Sequence, residues 1–260
     1  MTDLTGKVAI VTGGARGLGE GIVHRFAAAG ATVVVADLTE GDSLVNRLPG
    51  GASRHTSVRL DVSDADHFNT VVDDTVRLFG RLDIICNNAG VFDPEADLVD
   101  TPDSTFDRLM SVNVRGVFNG SRAAGKIMRE QGSGRIINTA SYIGKKALAG
   151  HSMYSASKAA VISLTQALAQ ELGPRGVTAN AICPGTMLTP MWVESLPLFT
   201  GEPNPNPDFH SAAYAKQHIP AGRMGTGDDV GALAAFLASD DAAFINGAAI
   251  NLTGGEAVWF

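Results

Sequence analysis

The sequence predicts an α/β fold: a single domain on a doubly wound parallel sheet of about seven strands, with helices on both faces. Seven short runs rich in β-branched and apolar residues recur along the 260 residues, and longer segments of helical period separate them. Several of these runs are continuously apolar, which is typical of parallel strands that are covered on both faces. Hydrophobic residues make up 45% of the chain and charged residues 18%, a composition that excludes a disordered protein.

The predicted strands leave room for a helix between one strand and the next. In chain order they are 8–11, 32–36, 57–60, 82–86, 135–138, 177–182 and 248–252. Apolar residues at helical spacing predict helices over 68–79 and 161–172. Ser63 and Asp66 are expected to cap the start of the first, and Gly173-Pro174 to end the second. Because no internal repeat or linker divides the chain, residues 1–260 are expected to form one domain.

Residues 186–220 depart from this alternation. The region holds six of the 11 prolines and four aromatic residues, Trp192, Phe199, Phe209 and Tyr214. A long proline-rich insertion in a compact domain is usually either functional or disordered. The aromatic side chains favour an ordered segment, so we expect a substrate lid here.

Composition limits the classes of partner. The net charge of −7 argues against nucleic-acid binding, which needs clustered Lys and Arg. No apolar run approaches the roughly 20 residues of a membrane span, and the first seven residues lack the pattern of a signal peptide. Cys86 and Cys183 lie in apolar runs and are expected to be reduced thiols of a cytoplasmic protein. The six His residues show no metal-ligand spacing, so no metal is expected. The expected partner is a small-molecule substrate.

A glycine-rich turn joins the first strand to the first helix and predicts a dinucleotide site. Gly13, Gly17 and Gly19 let the backbone approach a pyrophosphate, and the helix that follows offers free N–H groups to it. Asp37 ends the second strand, where a carboxylate can bind the adenosine ribose and repels a 2′-phosphate. We therefore expect NAD as the cofactor, although Arg16, a basic residue in the turn, favours a 2′-phosphate.

Further segments, together with this turn, resemble the short-chain dehydrogenase/reductase family in its compact form. They are Asp61-Val62 after the third strand, Asn87-Asn88-Ala89-Gly90 after the fourth, Tyr154-Ser155-Ala156-Ser157-Lys158 at the start of a helix, and Pro184-Gly185 after the sixth strand. The likeness extends from Gly6 to Gly255, with the motifs in the family's order. It implies a Rossmann-type fold and an oxidoreductase that transfers a hydride to or from a nicotinamide cofactor.

The resemblance implies four catalytic residues: Asn113, Ser141, Tyr154 and Lys158. Lys158 follows Tyr154 by one helical turn, and its ammonium, with the positive nicotinamide of NAD⁺, is expected to lower the Tyr154 pKa toward the working pH. Tyr154 then takes the alcohol proton as the hydride leaves, and Ser141 hydrogen-bonds the substrate oxygen. By resemblance, Lys158 also holds the nicotinamide ribose and Asn113 positions a water in a proton relay.

The resemblance also assigns residues to the cofactor and to the subunit interface. The expected cofactor contacts are Gly13, Arg16, Gly17, Leu18, Gly19, Asp37, Asp61, Val62, Asn88, Ala89, Gly90, Tyr154, Lys158, Pro184, Gly185 and Thr189. Asp61 and Val62 are expected to flank the adenine, and Thr189 to lie near the carboxamide. The helices that carry Asn113 and Tyr154 form the usual dimer faces in this family, so a homotetramer, or a homodimer, is expected.

The substrate pocket is expected to have mostly apolar walls. The predicted wall residues are Ser141, Tyr142, Ile143, Met153, Met187, Trp192 and Phe199. The tetrapeptide Thr189-Pro190-Met191-Trp192 resembles the acetoin reductase/butanediol dehydrogenase and sugar-alcohol dehydrogenase branch of the family. We therefore expect an NAD-dependent enzyme that interconverts a small secondary alcohol, diol or polyol and its ketone. His151, close to Tyr154, is either a pocket residue or a solvated one.

Two other functions remain open. A 3-oxoacyl-thioester reductase would need basic residues at the pocket mouth, for which Arg129 and Arg175 are the candidates. The acidic net charge and Asp37 argue against such an NADPH-dependent reductase. A sensor that binds NAD without turnover is the other function, and such proteins typically lack the Tyr or the Lys that this chain keeps at positions 154 and 158.

Overall fold

Seven strands form one sheet in the computed structural model, which describes residues 2–93 and 95–258. The strands are β1 (Val8–Thr12), β2 (Thr32–Asp37), β3 (Thr56–Arg59), β4 (Ile84–Asn87), β5 (Gly134–Thr139), β6 (Val177–Pro184) and β7 (Ala249–Leu252). All neighbouring pairs are parallel, in the order β3-β2-β1-β4-β5-β6-β7. The predicted fold class is confirmed, and each predicted strand overlaps an observed one. Residues 1, 94, 259 and 260 of the predicted domain lie outside the described residues.

Helices cover the sheet on both faces. They are α1 (Gly17–Ala28), α2 (Asp42–Val45), α3 (Ala65–Phe79), α4 (Asp103–Leu109), α5 (Gly116–Gln131), α6 (Ser152–Leu172), α7 (Pro190–Thr200), α8 (Pro207–His218) and α9 (Gly227–Ala238). Along β1, Ala9 and Val11 pack in the same core as α1 and α9, whereas Ile10 packs with α3 and α5. Because both faces are dry, the central strands are continuously apolar.

Phe26 on α1 and Phe68 on α3 are fully buried on opposite faces of the sheet, and each such burial contributes about 1.5–3 kcal/mol.

The packing of α1 against α9 depends on glycine. Between α1 and α9 the main chains themselves touch, and a Cβ added at Gly21 would overlap the backbone of Gly227. The two helices are therefore held at a fixed separation that a larger side chain would not permit.

The start of α3 differs from the prediction. The Asp64 carboxylate accepts hydrogen bonds from the N–H groups of Asp66 and His67, each at 3.0 Å, and so caps the helix. Ser63 instead donates its hydroxyl to Asp61 at 2.6 Å. The predicted Ser63–Asp66 capping box is therefore wrong, because the aspartate one residue later is in position to receive the free N–H groups. The end of α6 at Leu172 agrees with the Gly173-Pro174 signal.

The strand order reverses direction between β1 and β4, and this opens a crevice at their carboxyl ends. Helices α7 and α8 occupy most of the 186–220 region and lie beyond the carboxyl end of β6. Across the described residues, no helix has the length and apolar character needed to cross a membrane. No three or more His, Cys, Asp or Glu side chains in that part of the chain are grouped as metal ligands.

Candidate active site

The glycine turn lies at the mouth of the crevice, between β1 and α1. Gly13 and Gly17 have positive φ angles of 61° and 60°, a conformation that favours glycine. A Cβ on Gly13 would lie 2.9 Å from the Cα atom of Ala89, and a Cβ on Gly19 would overlap the Gly13 carbonyl. The turn is thus pressed against the loop after β4, with the first N–H groups of α1 directed out of the helix end. This geometry fits the pyrophosphate of a dinucleotide.

Thr12 fixes the position of the two loops that meet there. Its hydroxyl oxygen accepts hydrogen bonds from the N–H groups of Asn88 and Ala89, at 3.0 and 3.1 Å. The Asn88 side chain in turn donates to the carbonyls of Thr12 and Gly13, at 3.1 and 3.2 Å. The sequence analysis did not name Thr12, although a hydroxyl residue directly before the glycines was a usable signal. Asn88 and Ala89 thus lie beside the turn, and their contact with the adenosine ribose stays a prediction.

Asp37 and Arg16 have different surroundings. The Asp37 carboxylate accepts hydrogen bonds from the N–H groups of Ala15 and Thr39, each at 3.0 Å, so it is fixed beside the turn. Arg16 is exposed and pairs with Glu194 of α7 at 2.7 Å. The Arg16 guanidinium therefore connects the glycine turn to α7. Its partner in this structure is the Glu194 carboxylate, whereas the sequence favours a 2′-phosphate as the group that Arg16 would bind.

The predicted adenine pair lies at the carboxyl end of β3. Hydrogen bonds from Ser63 hold the pKa of the Asp61 carboxyl below its usual value. Val62 is buried, and a Cβ on Gly116 would lie 2.7 Å from its Cγ2 atom. Val62 thus joins the loop after β3 to the start of α5, at the edge of the crevice.

Ser141 and Tyr154 come together because a tight segment after β5 packs onto α6. Ser141 caps the short 3-10 helix Tyr142–Gly144, and its Oγ accepts a hydrogen bond from the Ile143 N–H at 3.3 Å. A Cβ on Gly144 would lie 2.7 Å from the carbonyl carbon of Lys158, so this segment contacts the backbone of α6 directly. The Ser141 and Tyr154 side chains hydrogen-bond each other as a result.

Lys158 and Asn113 converge on the same point. The Lys158 ammonium donates to the Thr139 carbonyl at 2.9 Å and lies 5.7 Å from the centre of the Tyr154 ring. Asn113 is fully buried in a π-helical turn, Met110–Arg115, a distortion that is frequent at functional sites. A Cβ on Gly90 would lie 3.3 Å from Asn113 Oδ1 and 3.4 Å from Lys158 Nζ. The four predicted catalytic residues therefore surround one small space.

Asn113 is held in place by its own hydrogen bonds. Its Oδ1 accepts from the Val91 N–H at 2.8 Å, and its Nδ2 donates to the Val91 carbonyl at 3.0 Å and to Ser157 Oγ at 3.1 Å. Its side chain thus fixes the loop that follows Gly90 against α6.

Burial dominates the titration of the catalytic pair. It raises the pKa of Tyr154 to about 12, and a hydrogen bond from Ser141 opposes this rise. It lowers the pKa of Lys158 to about 8. The expectation that Lys158 and NAD⁺ lower the Tyr154 pKa concerns the cofactor complex. In the chain alone Tyr154 is protonated at neutral pH and poised to act as an acid.

A cavity of about 250 Å³ opens beside Tyr154. It is lined by Met153 and His151, together with residues of the loop after β4 and the start of α4. Phe92 packs edge-on against the Tyr154 ring at 4.8 Å and against the His151 ring at 4.9 Å. Phe92 was missed in the sequence analysis, because no local pattern connects it to Tyr154. His151 is thus a pocket residue, and burial lowers its pKa.

The remaining predicted wall residues have different positions. Ile143 is buried beside Ser141. Met187 is also buried, but it packs in the core that contains α1 and α9, and a Cβ on Gly225 would overlap its sulfur. Met187 therefore has a packing role in this structure, since a parallel bridge joins it to Gly225. Phe199 is 45% exposed and stacks on Trp192 at 6.0 Å.

The lid region has a small hydrophobic core of its own. Ala215, Ile219 and Met224 are buried together, with Trp192 and Tyr214 packed against them. The Trp192 indole N–H donates to Ser211 Oγ at 2.9 Å and so ties α7 to α8. Helices α7 and α8 thus form an ordered unit.

The segment from Pro184 to Pro190, which leads from β6 into α7, lies near the glycine turn. Pro184 is the last residue of β6, and the N–H of Gly185 donates to the Leu252 carbonyl at 3.0 Å. Thr189 caps α7 by accepting from the Trp192 N–H at 3.3 Å. A Cβ on Gly17 would lie 3.5 Å from Pro190, so the starts of α1 and α7 face each other across the crevice.

Comparison with known proteins agrees with this architecture. A family model described as enoyl-(acyl carrier protein) reductase matches residues 13–256. The 3beta-hydroxysteroid dehydrogenase 2 of Eggerthella lenta is 40% identical over 97% of this chain and 95% of that protein. The 3-oxoacyl-(acyl-carrier-protein) reductase FabG of Thermotoga maritima is 36% identical over 97% and 98%. The crystal structure of a levodione reductase superposes with a TM-score of 0.91 at 35% identity, covering 98% of this chain and 99% of that chain.

The chain belongs to the short-chain dehydrogenase/reductase family. It is an oxidoreductase that acts on alcohol CH–OH groups and the corresponding carbonyls. Membership implies a nicotinamide cofactor, which agrees with the fit of the glycine turn to a dinucleotide.

Proposed function

We propose that the protein is an NAD(H)-dependent dehydrogenase that interconverts a small secondary alcohol or diol and the corresponding ketone. The observation that carries this proposal is the convergence of Ser141, Lys158 and Asn113 on Tyr154, which lines a cavity of about 250 Å³. That volume fits a small substrate. The levodione reductase and hydroxysteroid dehydrogenase relatives support a ketone or secondary alcohol as the reacting group.

The chain's own residues handle the proton and the charge. Tyr154, protonated because of its pKa of about 12, donates its proton to the ketone oxygen in reduction and takes it back in oxidation. Ser141 donates a hydrogen bond to that oxygen and stabilises its developing charge. Lys158 is charged below its pKa of about 8 and favours the tyrosinate that remains. When bound, the nicotinamide delivers or accepts the hydride at its C4 carbon.

The cofactor residues follow the crevice. The turn with Gly13, Arg16, Gly17, Leu18 and Gly19 would hold the pyrophosphate, and Asp61, Val62, Asn88, Ala89 and Gly90 the adenosine side. Pro184, Gly185 and Thr189 would hold the nicotinamide end. Asp37 lies beside the turn, where its charge disfavours a 2′-phosphate, and Glu194 neutralises the nearby Arg16. These two carboxylates support a preference for NAD.

A second candidate is a 3-oxoacyl-thioester reductase, which the matched family description and the FabG relative favour. The sequence analysis named Arg129 and Arg175 as basic residues for its pocket mouth. Arg129 lies near the end of α5 and Arg175 just before β6, so both are at the amino-terminal edge of the sheet. That prediction is wrong, because the catalytic residues lie at the opposite edge. The relatives' names remain the support for this candidate.

We also propose a cytoplasmic homotetramer. Phe106 on α4 and Phe118 on α5 are 46% and 42% exposed, and a subunit contact would cover them. Cys86 and Cys183 are both free and buried, which is consistent with a reducing compartment. Light scattering at micromolar concentration would distinguish a tetramer from a dimer or monomer.

The test is a screen that follows NADH and NADPH absorbance. We expect the highest kcat/KM with NAD⁺ and a small secondary alcohol or diol. Acetoacetyl-CoA with NADPH represents the second candidate, and a higher kcat/KM for that pair would replace the proposal. Asp37→Ser removes the charge beside the ribose, so the ratio of kcat/KM for NAD⁺ over NADP⁺ should fall about tenfold or more. An unchanged ratio would remove Asp37 from the argument.

A further inference from the structure

Glu256, in the segment after β7, connects three parts of the substrate side. Its Oε2 accepts a hydrogen bond from the Thr186 N–H at 2.7 Å, and its Oε1 accepts from the Thr186 hydroxyl at 2.7 Å. The Tyr214 hydroxyl on α8 also donates to Oε1 at 2.7 Å. A Cβ on Gly185 would lie 2.5 Å from Oε2, so the carboxylate covers the start of the loop after β6. Glu256 is not among the predicted site residues.

Tyr142 extends this contact set to the catalytic residues. Burial, and then the negative charge of Glu256, raise the pKa of Tyr142 to about 12, and the hydroxyl of Thr186 opposes this rise. It directly follows Ser141, whose side chain hydrogen-bonds Tyr154. We call Tyr142, Thr186, Tyr214 and Glu256 the polar wall. Tyr142 follows β5 and Thr186 follows β6, so the polar wall lies at the carboxyl ends of these two strands.

The carboxylate determines what the polar wall can recognise. The Thr186 hydroxyl oxygen lies 2.7 Å from Glu256 Oε1 and 3.1 Å from the Tyr214 hydroxyl oxygen, so its single proton goes to the nearer carboxylate. Tyr214 also donates to Oε1, and the lone pairs on these two hydroxyl oxygens can accept from a further donor. The wall is therefore rich in acceptors and carries a negative charge. A neutral hydroxyl on a substrate can satisfy it, whereas a carboxylate or phosphate on a substrate is repelled.

Building on the proposed function, we propose that Glu256 is a specificity-determining residue that selects substrates with a second hydroxyl beside the reacting carbinol carbon. This deepens the prediction of mostly apolar walls, since Tyr142, one of the predicted wall residues, belongs to the polar wall. Glu256 already has three donors from the protein, so the discrimination rests on its negative charge and on the hydroxyl lone pairs that a second substrate hydroxyl can use.

Three four-carbon probes test this selection with NAD⁺: 2,3-butanediol, 2-butanol and 3-hydroxybutyrate. The wild type should prefer the diol over 2-butanol by about tenfold or more in kcat/KM and should use the anion poorly. Glu256→Gln removes the charge, so we expect the diol preference to fall about fivefold and the use of 3-hydroxybutyrate to rise relative to 2-butanol. Glu171→Gln, on the exposed side of α6, is the matched control and should change neither ratio.

Tyr142→Phe is the second variant, because it keeps Glu256 and its bonds to Thr186 and Tyr214. It should lower the diol preference without raising the use of the anion. Thermal melting and NADH titration would show that both variants fold and bind cofactor. The role of Glu256 would be overturned if the wild type used 2-butanol as well as the diol, or if both variants kept the wild-type diol preference. The proposed function would stand in either case. Absence of turnover with every alcohol tested would overturn the proposed function itself.

Discussion

The cofactor side and the lid region are built by different kinds of contact. On the cofactor side, main chains touch: Gly13 lies against Ala89, and Gly21 lies against Gly227. In the lid region, side chains make the connections, as in the bond from Trp192 to Ser211 and the bonds from Thr186 and Tyr214 to Glu256. Main-chain contacts require glycine at fixed positions, so they leave a local signature. Side-chain contacts between distant segments leave none.

The largest expected effect is at the catalytic centre, which the cofactor side holds in place. Tyr154→Phe keeps the ring that packs against Phe92 but removes the hydroxyl. Turnover should fall by ~10²–10⁴-fold, the usual contribution of acid–base catalysis. Stopped-flow or steady-state NADH absorbance measures the rate, and NADH fluorescence titration should show an unchanged dissociation constant. Near wild-type turnover would contradict the assignment of Tyr154 as the acid.

Lys158 gives a pH-dependent prediction. Its pKa in the folded protein, about 8, lies below the ordinary value of 10.5 because the side chain is buried. The unfolded chain therefore binds more protons than the folded chain between these values, and wild-type stability should rise with pH across that window. Below pH 8 the buried charge costs up to about 3 kcal/mol, so Lys158→Met should stabilise the fold at pH 7 while abolishing activity.

Urea denaturation at pH 7 and at pH 10.5 measures this difference. The stability advantage of the Lys158→Met variant should shrink as pH rises, since the wild-type lysine becomes neutral. Lys126→Met, on the exposed side of α5, should show no such dependence. A stability difference that is constant with pH would mean that the pKa of Lys158 is the same in the folded and unfolded chain, so that its charge is buried at no cost.

A substitution at Gly21 disrupts the main-chain contact between α1 and α9 on the cofactor side. Gly21→Ala places a methyl group against the Gly227 backbone and should lower the free energy of unfolding by about 1–3 kcal/mol. Gly125→Ala, also inside a helix, meets only the end of the Leu172 side chain at 3.2 Å. That control should be neutral or stabilising, because alanine is favoured over glycine in helices. Equal losses in both variants would show that helix propensity, and not the α1–α9 contact, is what matters.

This contrast explains how far the sequence could predict the structure. The seven strands and the turn from Gly13 to Gly19 follow from local patterns, since buried parallel strands are apolar and close backbone approach needs glycine. The positions of Phe92 and Glu256 depend on contacts between segments far apart in sequence, which no spacing encodes. Met187 shows the same limit, because its neighbour Gly225 lies 38 residues further along the chain.

The smallest expected effect lies in the lid region, at the side-chain contact between α7 and α8. Trp192→Phe keeps an aromatic ring to stack on Phe199 and to meet Tyr214 edge-on, but it removes the donor to the buried Ser211 hydroxyl, a loss of about 1 kcal/mol. On the proposal that α7 and α8 form the substrate lid, their looser packing should raise KM for the alcohol about threefold to tenfold. The dissociation constant for NADH should stay nearly the same, since the glycine turn is untouched. Phe209→Leu, at a side chain that is 67% exposed on α8, is the control and should alter neither constant. A different result would contradict this assignment: Trp192→Phe lowers the melting temperature as much as Gly21→Ala and leaves KM unchanged. Trp192 would then stabilise the fold, as Gly21 does, and would have no effect on substrate binding.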